Sequence, residues 1–132
     1  MPLVADHAAP LTKQQVFDIA WKWAQTHDKC YSDTGTCAYR NVDNTNACLI
    51  GCVIPDSCIA KLQPLAFDMA KGFGIQTLLA YNVVSALFAF DDGDWLIDLQ
   101  QCHDNMHMDV YHTSIGNRLR KFAEKHQLTI PV

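Results

Sequence analysis

Five of the chain's six cysteines lie between Cys30 and Cys58, in a polar, turn-rich stretch that ends Ala47-Cys48-Leu49-Ile50-Gly51-Cys52-Val53-Ile54-Pro55-Asp56. The sequence on either side is patterned as amphipathic helix. Cysteine serves both as a small buried hydrophobe and as a reactive thiol or metal ligand. A chain of this kind therefore either staples the stretch with sulfur or metal, or docks it on the helices as one more apolar surface. Nearly half of the 132 residues (49%) are apolar, enough to build one domain's core without staples. The even cysteine count admits a disulfide framework. Against it, Met1-Pro2-Leu3-Val4-Ala5-Asp6-His7 lacks the basic start and apolar run of a secretory signal, so the expectation is a reducing cytoplasm with free or metal-bound thiols.

The expected fold is mostly α (α+β): five to six amphipathic helices with one small β-hairpin around residues 37–50. Residues 1–10 read as a flexible N-terminal tail. Residues 11–132 read as a single helical domain carrying a cysteine-rich insert at 29–56. Thr12 and Gln15 form a capping box at the start of the first helix, and Leu11 can staple to Val16. Val16, Phe17, Ile19, Ala20, Trp23 and Ala24 then share a broad apolar face, with Trp21 at its edge and His27 projecting into it.

Two short runs, Cys37-Ala38-Tyr39-Arg40 and Ala47-Cys48-Leu49-Ile50, flank an Asn/Asp-rich turn and predict the hairpin. An isolated two-stranded hairpin is marginal in water, so it has to dock on the helices, and Gly51 would let the chain turn or pass close to another backbone. Pro55-Asp56 predicts a short helix carrying Ile59 and Leu62. A strong helix from about Ile75 to Phe90 is expected to be central and most buried. Asp94 is the expected N-cap of the next helix, which bears Trp95, Leu96, Leu99, Cys102 and Met106. The last helix carries Ile115, Leu119, Phe122, Ala123 and His126 on one face.

Three chemistries can be placed on these elements. His103 and His107 are four apart on one helix face, a spacing for two imidazole ligands, and with Cys37, Cys48 and Cys52 they would make a zinc-stabilised structural domain. No Cys-x-x-Cys pair supports this: successive gaps between the five cysteines hold six, ten, three and five residues. A thiol-dependent enzyme would use Cys37 as nucleophile and His103 as base, oriented by Asp104, but no nucleophile signature accompanies them. The third is a polar binding site. Arg40 offers a planar fork for carboxylate or phosphate, Tyr39 a stacking face, and His103 and Asp104 further hydrogen bonds. The structural alternative at Arg40 is an ion pair with Asp104 or Asp56 that pins the hairpin.

The formal net charge is -4, and the one basic cluster is Arg118-Leu119-Arg120-Lys121, too small for a nucleic-acid footprint and read as a solvated helix face. The longest apolar candidate, Thr77 to Phe90, is shorter than the roughly 20 residues of a membrane span and contains Asn82 and Ser85. Neither nucleic acid nor a membrane is therefore an expected partner.

The pattern Cys37-x-Tyr39-Arg40, Cys48-x-Ile50-Gly51-Cys52-x-Ile54-Pro55-Asp56 and Leu99-Gln100-Gln101-Cys102-His103-Asp104 resembles a family of small bacteriophage, prophage and bacterial proteins. The resemblance spans roughly residues 12–128 and includes the helix around Val16-Phe17-Asp18-Ile19-Ala20-Trp21. It implies a phage-related origin and no particular activity. Ser57-Cys58 departs from the acidic residue often found after Pro-Asp in that family, and Met106 to His112 is longer and richer in Met and His. The resulting expectation is a viral protein acting without catalysis in the host cytoplasm. Its partner would be a host protein or a small anionic, nucleotide-like ligand, in an inhibitory or counter-defence role, bound through Tyr39, Arg40, His103 and Asp104. No resident cofactor is expected beyond the zinc alternative.

Overall fold

The computed structural model describes residues 3–27, 39–40, 45–62, 75–104 and 115–131; the side chains of His103, Asp104 and Ile115 lie outside that description. These residues form six α-helices and one 3-10 turn: α1 (Lys13–Thr26), the turn Gly51–Val53, α2 (Asp56–Leu62), α3 (Ile75–Leu79), α4 (Asn82–Ser85), α5 (Gly93–Asp104) and α6 (Ile115–His126). The chain is mostly helical, as its periodicity predicts.

α1 starts where the capping box places it. Thr12 Oγ1 accepts from Gln15 N–H at 3.2 Å, and Gln15 Oε1 accepts from Thr12 N–H at 2.9 Å, so two amides without helical partners are satisfied reciprocally. Val16, Phe17, Ala20 and Trp21 are buried. His27 is not embedded in the apolar face. It is the half-exposed C-cap, its ring stacked on Trp23 with centroids 3.6 Å apart. α1 packs on α6 and on the 3-10 turn, α5 packs on α6, and α3 packs on α5. Aromatic rings run through these contacts: Phe17 stacks on Phe122 (6.0 Å), Phe122 meets Trp95 edge-on (5.2 Å), and Trp95 meets Phe90 edge-on (5.3 Å). Such offset and edge-on pairs add to the area that each ring buries.

Three elements differ from the sequence expectation. The long helix expected over 75–90 is two short helices, α3 and α4, followed by an extended piece. Leu11 and Phe88 form a parallel bridge, with Leu11 N–H donating to Leu87 O (2.8 Å) and Ala89 N–H donating to Leu11 O (2.7 Å). Those backbone groups are the ones a continued helix would use, so the pairing keeps residues 87–89 out of helix; the first break, between Leu79 and Asn82, lies upstream of it. The segment is also not the most buried one, since Tyr81 is 37% exposed. The cap of α5 is Asp92 rather than Asp94: Asp92 Oδ1 accepts from Trp95 N–H at 3.0 Å.

The third difference is the hairpin. Arg40 and Ala47 form one isolated antiparallel bridge, and there is no strand ladder among the described residues. Residues 37–38 and 41–44, which the hairpin also needs, lie outside them. After Cys48 the chain coils instead of extending. Cys52 N–H bonds Cys48 O (2.9 Å), Val53 N–H bonds Ile50 O (3.0 Å) and Ile54 N–H bonds Gly51 O (3.2 Å). Residues Ala47 to Ile54 are all buried, and these short-range bonds satisfy backbone that water cannot reach.

The N-terminal residues, expected as a tail, are fastened where they are described. Leu3 and Val4 N–H groups donate to the Asp56 carboxylate, each at 3.0 Å, Asp56 N–H donates to Val4 O at 3.0 Å, and His7 Nε2 lies 2.7 Å from Val53 O.

Candidate functional site

Arg40 is fully buried, at 0% exposure. An isolated guanidinium cannot be left there, and it is not. Its Nη1 donates to Asp56 Oδ1 at 2.7 Å, Nε donates to Gly51 O at 3.3 Å, and Nη2 donates to Ile54 O. Of the two carboxylates expected as structural partners, Asp56 is thus in hand. The planar fork of arginine reaches three acceptors from two directions, which a lysine ammonium cannot do. Tyr39, also at 0% exposure, accepts Cys48 N–H on its carbonyl at 3.2 Å. Gly51 passes so close to that carbonyl that an added Cβ would overlap it, which makes glycine obligatory at this crossing.

His103 and Asp104 close α5, directly after Gln101 and Cys102. Their side chains lie outside the described residues, as do Cys37 and His107 entirely. The Cys37–His103 pairing and the complete zinc set fall there too. Among the described residues no three His, Cys, Asp or Glu side chains converge. Cys48 Sγ accepts from Gly51 N–H at 3.2 Å, and Cys52 Sγ donates to Leu49 O at 3.1 Å, both inside the core. Burial pushes the Cys52 thiol far above its usual range and Cys102 up to about 12, opposing thiolate formation at both.

The described residues line two concave sites of note. One is a groove of about 270 Å³ between α5 and α6, lined by Asp98, Gln101, Cys102, Arg118, Lys121, Phe122 and Lys125. Positions 118, 121 and 125 fall on one face of α6, and that spacing was legible in the sequence. Reading residues 118–121 as a contiguous solvated run hid it. What the sequence did not show is that α5 brings Gln101 and Asp98 opposite. Asp98 Oδ2 takes Lys125 Nζ at 2.8 Å and His126 Nε2 at 3.0 Å, and the Lys125 bond, followed by that of His126, holds the Asp98 carboxyl below its usual range. Lys121 is exposed and makes no hydrogen bond or ion pair among the described residues.

The other is a cleft of about 650 Å³. Pro10, Leu79, Phe88, Ala89, Phe90 and Leu96 line it, with Ser85, Asp91 and Asp92. Phe88, one of its walls, is held to Leu11 by the parallel bridge, and residues 88–92 lead directly into α5. Nothing in the local sequence signals that bridge.

No family model, curated protein or solved structure matches the chain. No helix among the described residues is long and apolar enough to cross a membrane.

Proposed function

We propose that the chain is a small phage-type binding protein that acts without catalysis in the host cytoplasm. Its ligand is a small anionic, nucleotide-like molecule held in the α5–α6 groove. One observation carries this reading: on a chain whose net charge is -4, Lys121 lines the groove exposed and without a hydrogen bond or ion pair among the described residues, with Arg118 and Lys125 beside it. A phosphate-bearing ligand gains from charge-assisted hydrogen bonds to such donors, and Gln101 adds a neutral donor beside them. Phe122 supplies an apolar wall at the same place. Sequestering a nucleotide signal would suit a counter-defence role, and it needs no thiol chemistry, in keeping with the protonated Cys52 and Cys102.

On this reading Tyr39 and Arg40 shape the insert and do not touch the ligand. The buried stretch from Ala47 to Ile54 is then structural packing rather than a binding finger.

Calorimetric titration of the full chain with inorganic phosphate, AMP and ATP, at low and physiological salt, tests the proposal. Saturable binding that weakens with salt and falls about tenfold in Lys121→Glu is the expected result. Absence of binding by all three probes, or binding indifferent to Lys121→Glu, overturns it.

A further inference from the structure

The cleft beside α5 has a different chemistry from the groove, and a different ligand follows from it. Its volume, about 650 Å³, is that of a small-molecule site, and its walls are two phenyl rings, Phe88 and Phe90, with Leu79, Leu96 and Pro10. The polar groups at its rim are Ser85 and the carboxylates of Asp91 and Asp92. Asp92 is engaged: Lys13 Nζ lies 2.8 Å from its Oδ2. The same ammonium stands 5.6 Å from the Phe90 ring centroid and 5.9 Å from that of Trp95, within cation–π range. The chain's own lysine therefore already shows an alkylammonium held by one rim carboxylate over the aromatic wall. Asp91, adjacent in sequence and exposed, has no hydrogen bond or ion pair among the described residues. It offers the equivalent carboxylate to an incoming cation.

We propose that this cleft binds a hydrophobic amine: an aryl or alkyl body against Phe88, Phe90 and Leu96, and a cationic head on Asp91. The site is independent of the α5–α6 groove, and it selects against the anionic ligands that the groove attracts. Anionic amphiphiles of the same shape are disfavoured, because the apolar wall would bring their charge against the Asp91 carboxylate.

The test is an NMR titration of the ¹⁵N-labelled full chain with 4-phenylbutylamine, and with 4-phenylbutyrate as the matched anion. The amine is expected to shift the amides of Ser85, Phe88 to Asp92 and Leu96 saturably, and the carboxylate to leave them unmoved. Asp91→Asn, a surface change that leaves the fold intact, should weaken the amine about fivefold. Asp18→Asn, which alters the net charge equally on α1, should not. Equal binding of amine and carboxylate, shifts centred elsewhere, or equal losses in the two variants would show non-specific ion pairing only and overturn the proposal.

Discussion

Arg40 and Asp56 are sixteen residues apart and joined at 2.7 Å, and the same carboxylate holds the amides of Leu3 and Val4. One ion pair thus ties three stretches of chain: the start of the insert's bridge, the first turn of α2, and the N-terminal strap. Arg40 is wholly buried, whereas the Asp56 side chain is 25% exposed, so the arginine depends on the pair more than its partner does.

Removing that arginine should therefore be felt in stability. Arg40→Ala leaves the Gly51 and Ile54 carbonyls and the Asp56 carboxylate short of donors. It is expected to cost about 3–5 kcal/mol in urea unfolding. Arg40→Lys should recover only part of the loss, since one ammonium cannot serve both carbonyls and the carboxylate. Anion binding at the α5–α6 groove should be unchanged in whatever fraction stays folded. An Arg40 variant of native stability that no longer binds would assign the residue to the ligand instead.

Gly51→Ala drives a methyl group into the Tyr39 carbonyl, which is backbone and cannot swing away. The crossing has to open, breaking the Cys48–Tyr39 hydrogen bond or moving the 3-10 turn. A loss of about 3 kcal/mol is expected, read as a fall in denaturation midpoint with the slope unchanged.

Stability should fall in acid through Asp98 and Asp92. Lys125, with His126, holds the Asp98 carboxyl below the usual carboxylate range, and Lys13, with Trp95 N–H, does the same for Asp92. A carboxyl depressed in the folded state binds its proton more readily when unfolded. Its contribution is complete above the unfolded value, near pH 4, and drains away as pH falls through the lower folded value. Thermal melts from pH 6 to pH 2 should show this loss, smaller in Asp98→Asn. A flat profile in the parent chain would contradict both ion pairs.

The thiols give a chemical readout. Iodoacetamide at pH 8 should leave Cys52 and Cys102 unmodified in the native chain, because burial holds both protonated and out of reach. They should react once urea unfolds it, with mass mapping of the alkylated peptides as the measure. With Cys48 and Cys52 committed to core hydrogen bonds, a chelator should leave the melting temperature unchanged. Unfolding by chelator would restore the zinc reading with Cys37, His103 and His107 as its remaining ligands.

What the sequence determined by itself is local: the Thr12–Gln15 box that starts α1, the apolar faces of α1 and α6, and the short helix after Pro55. Each is set by residues within one or two helical turns, where side-chain spacing and backbone valence leave few choices. The tertiary structure decided everything that depends on a partner far along the chain. Leu11 pairs with Phe88, 77 positions away, and keeps the end of the apolar run of 75–90 out of helix. Asp56 turns Arg40 from a plausible ligand contact into a buried tie. Asp98 and Gln101, set across from α6, make a groove of cations that in sequence are only an exposed stripe. Periodicity shows which face of an element is apolar, but not which distant polar group will satisfy a buried one, because that is fixed by how the elements pack.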